Sequence, residues 1–198
     1  MSLQEDKLPS LTLFLAEEIA DELEPGVRAD FEGLEVSISR HGSSVYAGLY
    51  LYLPTAIGLF IAANFFNGFF NKAGGDAYDA LKLAATALWV RANQIKVSTV
   101  GSRGKLADTN RFSLSYSIVV QVAPKLRLKF LTEDNVDEET AERGISTFLE
   151  LLANLPDLEE AELERLLFTY RPVGGHFLVA YDAASQKIVP VNAFGKGN

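Results

Sequence analysis

Residues Val45–Phe66 read VYAGLYLYLPTAIGLFIAANFF, and the fold turns on how this run is divided. It lies inside a longer stretch, Gly42 to Asn71, that carries no charged side chain. A bilayer crossing takes about 20 apolar residues, so the run is long enough to be one. It is also punctuated: Pro54 sits mid-run, Gly48 and Gly58 interrupt it, and Asn64, Asn67 and Asn71 follow. Tyr46, Tyr50 and Tyr52 precede the proline, with Tyr and Leu alternating from Leu49. That division predicts a strand over 45–53, a turn at Pro54, and a buried helix over 54–72. Pro54 suits the first turn of such a helix, where its missing N–H costs nothing.

Downstream, Gly74-Gly75 is expected to end this helix and Asp76 to cap another, with Asp79 three residues on. Leu81, Ala84, Ala85, Leu88, Trp89 and Ala92 give the second helix its apolar face. Two apolar helices meeting at a glycine pair predict a helical hairpin. Upstream, residues 33–40 alternate apolar and polar, as a half-buried strand does, and His41-Gly42-Ser43-Ser44 is a turn. Leu11, Phe14, Leu15, Ile19 and Leu23 fall on one helical stripe, so 11–24 reads as a helix stopped by Pro25-Gly26.

Beyond the hairpin, Ile95–Val100 reads as a strand, followed by the loop GSRGKLADTN at 101–110. Phe112, Leu114, Tyr116 and Ile118 alternate with serines, and Leu126, Leu128 and Phe130 alternate with Lys125, Arg127 and Lys129, which makes two clear strands. Asp137 caps a helix with the stripe Ile145, Phe148, Leu149 and Leu152, and Pro156-Asp157 opens another. His176–Asp182 and Lys187–Val191 read as a hairpin across Ala183–Gln186. The expected architecture is therefore a single α+β domain over 1–198, its last few residues loose. A mostly antiparallel sheet packs on the apolar helical hairpin, and two acidic helices lie in the C-terminal half.

Composition narrows the function classes. With 198 residues the chain can bury a full core without staples. It has no cysteine, which excludes disulfides, thiolate metal sites and cysteine nucleophiles. A net charge of −8 argues against a general nucleic-acid binder. The first residues, MSLQEDKLPS, contain no signal-peptide pattern, so a cytoplasmic location is expected.

The charge is segregated along the chain. Residues 91–130 hold eight basic side chains and one acid, whereas 131–165 hold twelve acids and two bases. Arg103, Lys105, Arg111, Lys125, Arg127 and Lys129 are the candidate anion- or partner-binding residues. The same pattern also arises on the solvated face of a sheet edge, where lysines guard against aggregation.

Catalytic motifs are thin. The string GSRGKLAD resembles a phosphate loop only at Gly104-Lys105; Leu106 replaces the hydroxyl residue, and a strand follows where a helix should. There is no GxSxG elbow and no HExxH. No metal site or cofactor is expected. His176, in RPVGGHF, is the weak catalytic candidate: Gly174-Gly175 would let backbone approach a ligand, and Arg111, Arg127 and Arg171 could clamp an anionic substrate. The reading with most support is a small acidic interaction module, adaptor- or immunity-like, that binds a protein partner through its acidic and basic faces. The alternatives are a membrane-acting protein that inserts residues 45–70 of the uncharged 42–71 segment, and an enzyme built on His176 and the basic face.

Overall fold

The computed structural model describes residues 11–42, 55–95, 111–123, 126–155 and 160–192. In chain order the elements are β1 (Leu11–Ala16), α1 (Glu17–Asp30), β2 (Ser37–His41), β3 (Ile57–Ile61), α2 (Ala63–Asn93), β4 (Phe112–Ala123), β5 (Leu126–Glu133), α3 (Glu138–Ala153), α4 (Glu160–Phe168), β6 (His176–Asp182) and β7 (Lys187–Pro190). The strands form one seven-stranded sheet in the order β2-β1-β3-β4-β5-β6-β7.

The sheet is mixed. β1/β2, β3/β4 and β5/β6 are parallel, and β1/β3, β4/β5 and β6/β7 are antiparallel. The expectation of a mostly antiparallel sheet is corrected by the crossovers: β1-α1-β2, β3-α2-β4 and β5-α3-α4-β6 each return the chain to a parallel neighbour, which a hairpin cannot do. Leu13, Leu59, Ile118 and Phe130 stand in one row across four strands, on the face that meets the helices. Tyr116 on that face donates its hydroxyl to the Ala85 carbonyl of α2, and Phe130 stacks on Phe148 of α3 with centroids 4.7 Å apart. Because α1, α2 and α3 all lie on one side, the third crossover has the opposite hand to the first two.

The central run resolves differently from its sequence reading. Residues 57–61, IGLFI, are buried at every position and form β3 between β1 and β4, not the first turns of a helix. The helix begins at Ala63 and continues through Gly74-Gly75 to Asn93, so one long helix stands where a hairpin was expected. Two glycines in a helix interior cost about 2 kcal/mol relative to alanine, less than burial of the Leu81–Ala92 face restores. The expected strand at 45–53 and residues 96–100 of the expected strand at 95–100 lie outside the described residues.

The N-terminal helix is likewise displaced. Residues 11–16 are a strand, and the helix starts at Glu17 and passes through Pro25 to Asp30. Burial of Val27 and Phe31, and an Arg91 side chain that holds the Gly26 carbonyl and Asp30, carry the helix past the Pro-Gly pair. No helix among the described residues is long and apolar enough to cross a membrane.

Candidate functional site

The face of the sheet away from the helices carries the candidate residues. The alternation of β5 puts Arg127, Lys129 and Leu131 there, and parallel pairing sets Arg127 opposite His176 and Lys129 opposite Leu178. Gln121 of β4 stands on the other side of Arg127, and Val119 beside Lys129. Two rows of this face are largely closed to water: Thr12, Phe60, Lys129 and Leu178 are buried in one, Ser117, Leu131 and Ala180 in the next. Lys129 is only 5% exposed, whereas Arg127 is exposed and His176 half-buried. The basic stripe read from the sequence is thus not a uniformly solvated edge; its last residue, Lys129, is part of a packed layer.

Local geometry fixes the corner. Val173 and His176 exchange both backbone hydrogen bonds, at 2.8 and 3.0 Å, around Gly174 and Gly175. Those glycines have φ of 59° and 79°, the pair of positive angles a tight hairpin turn of this kind needs. Their role is this turn. A Cβ on Gly175 would meet nothing within 4 Å, so close approach to a neighbour is not what selects glycine there. The turn sets His176 at the start of β6, and Val173 packs with Leu131 and Leu178 in a small second cluster.

Electrostatics at this corner are one-signed. Burial lowers the His176 pKa, and the charges of Lys129 and Arg127 lower it further, while the Gly174 and Val173 carbonyls act the other way. Burial brings Lys129 down to about 8. Among the described residues, both charges acting on His176 are positive, and none of them is the carboxylate that orients the base of a nucleophilic triad.

Of the other sequence candidates, Arg111 does not join this corner. Arg111 lies at the far end of the sheet, since nine residues of β4 separate Phe112 from Gln121, about 30 Å at strand rise. There its guanidinium bonds Glu133 at 2.6 Å and sits 5.4 Å from the Phe112 ring centroid. Arg171 is exposed in the segment before Val173. The clamp of Arg111, Arg127 and Arg171 around one substrate is therefore not assembled. Arg103, Lys105 and Lys125 lie outside the described residues.

Sequence reasoning missed a cleft of about 200 Å³ at the Arg111 end, between the start of α3, the end of β5 and the β6–β7 turn. Glu133 and Asp182 lie in its wall, as does Thr132, which is buried with its hydroxyl unpartnered. Glu133 is committed to Arg111, and Asp182 accepts from the Ser185 amide and hydroxyl. The one signal in the sequence was the helix start: Asp137 does cap α3, its carboxylate accepting the Thr140 amide at 2.7 Å. Among the described residues no group of three or more His, Asp or Glu side chains is placed to hold a metal ion. Compared with known protein families, with curated proteins and with solved structures, the chain matches none.

Proposed function

We propose that this protein is a non-enzymatic interaction module that docks a basic protein partner on the outer surface of its helical layer. The observation that carries this reading is the distribution of charge over α1 and α3. Glu17, Glu18, Asp21 and Glu22 of α1 and Glu138, Glu139, Glu142 and Glu150 of α3 are all exposed, on the same side of the sheet. Among the described side chains of α1, α2 and α3, the bases are engaged within the layer: Arg28 with Glu24, Lys82 with Glu142, Arg91 with Asp30 and Arg143 with Glu139, two of these pairs using acids of the exposed set. The layer therefore presents an excess of carboxylate to solvent. Such a surface raises the encounter rate with a positively charged partner and discriminates against acidic ones. The thin catalytic inventory is in keeping with a binding role.

The test is affinity capture with the full chain at low ionic strength, followed by kinetics on the purified pair. An association rate that falls at least ~10-fold between about 20 and 500 mM salt, and falls again with Glu138→Lys and Glu142→Lys together, supports the reading. An association rate indifferent to salt and to charge reversal overturns it.

A further inference from the structure

The sheet face opposite the helices holds a second feature, independent of the acidic layer. Arg127 and His176 are direct partners in the parallel β5/β6 ladder, and Lys129 follows two residues after Arg127 on the same face. Strand geometry brings three chemically different cationic or proton-donating groups within about 7 Å of one another along the backbone. Lys129 lies at the floor, nine-tenths buried; Arg127 is open to solvent and His176 half so. No ion pair engages Arg127 among the described residues. The carboxylates on the same face of these strands, Glu133 and Asp182, are six residues from Arg127 and His176 along their strands, about 20 Å, with Glu133 four residues from Lys129, about 13 Å; they are committed to Arg111 and Ser185.

We propose that Arg127, Lys129 and His176 form a site for one phosphate group of a small molecule. The guanidinium supplies a planar fork suited to an oxyanion, the ammonium a point charge beneath it, and the imidazole a third donor once protonated. A doubly charged phosphate offsets the mutual repulsion of these groups better than a singly charged carboxylate. The pKa of His176, held down by its two cationic neighbours, is the natural reporter, because a bound anion reverses the local field.

The experiment is a proton NMR titration of the full chain. The protein has two histidines, His41 and His176, so His41→Gln leaves a single pair of ring resonances to follow. Inorganic phosphate, against sodium chloride of equal ionic strength, is expected to raise the His176 pKa by ~1 unit. Arg127→Gln, a change at an exposed side chain, is expected to weaken that effect at least ~5-fold in phosphate concentration. No shift beyond the chloride control overturns the proposal, as does a shift that survives Arg127→Gln. An equal response to acetate overturns the assignment to phosphate. All three results are read without any protein partner, so they do not depend on the acidic layer.

Discussion

Arg91 Nε donates to Asp30 Oδ2 at 2.6 Å, and Arg91 Nη2 reaches Asp30 Oδ1 at 3.0 Å and the Gly26 carbonyl at 3.3 Å. One side chain of α2 thereby ties two turns of α1, at the point where Pro25 leaves the helix short of a donor. Asp30 holds the Arg91 pKa above its ordinary value. The guanidinium is partly exposed, which reduces the worth of the pair. Arg91→Met is expected to lower stability by about 1 to 2 kcal/mol in urea unfolding. It is also expected to speed amide exchange in residues 26–31 more than in the rest of α1. Exchange that rises evenly along the helix would remove Arg91 from this role.

Phe148 and Phe130 stack at an interplanar angle of 14°, and both are essentially excluded from solvent. They join α3 to the centre of the sheet, where β5 lies between β4 and β6. Phe148→Ala empties a space the surrounding elements cannot close and is expected to cost about 3–5 kcal/mol. Leu83, on the same helical layer but 69% exposed, serves as the contrast. Leu83→Ala is expected to change stability by less than about 0.5 kcal/mol. Comparable losses at the two positions, measured by denaturant midpoint, would contradict the described packing.

Thr55 and Ser117 share a buried hydrogen bond of 2.7 Å between their hydroxyls, and Thr55 also donates to the Ile57 carbonyl at 2.9 Å. This polar joint sits where β3 enters the sheet beside β4. Ser117→Ala leaves Thr55 its backbone acceptor, so a loss of about 1 kcal/mol is expected. Thr55→Val removes both bonds and is expected to cost more. The order of the two melting temperatures is the readout, and the reverse order would count against the joint.

These elements also show what sequence pattern can and cannot convey. β4 and β5 were readable because serine, lysine and arginine alternate there with apolar residues, although β5 is buried on both faces from Leu128 to Thr132; α3 shows a helical stripe, and the β6–β7 pair shows two apolar runs about a turn. β1 and β3 were not. Leu11, Phe14 and Leu15 satisfy a helical stripe, but Leu11, Leu13 and Leu15 satisfy a strand equally, and burial of nearly every residue from 11 to 16 erases the difference. IGLFI is buried on both faces and has no period at all. With those two strands hidden, the parallel crossovers could not be inferred. At the candidate site, the shared face of Arg127 and Lys129 was legible from alternation, whereas the pairing with His176 depends on strand order. Burial of Lys129 contradicts the usual behaviour of lysine and had no sequence signal.

That burial has a consequence for pH. Lys129 loses its proton near pH 8 in the folded chain but at about 10.5 when unfolded. Between those values the unfolded chain binds more protons, so stability rises with pH. The cost of charging the buried ammonium is fully present below about pH 8 and is relieved as pH climbs through the interval, by up to about 3 kcal/mol. His176 acts in the same sense lower down: its lowered pKa costs stability as pH falls below 6.5. Tyr78, pushed up to about 12, opposes the trend only at pH values above those at which an unfolded tyrosine ionises, about 10. Urea unfolding between pH 7 and about 9.5 therefore isolates the lysine. The native chain is expected to gain stability over that range relative to Lys129→Met, whose curve lacks the term. Parallel curves would mean that Lys129 is solvated in solution and that this face of the sheet is more open than described.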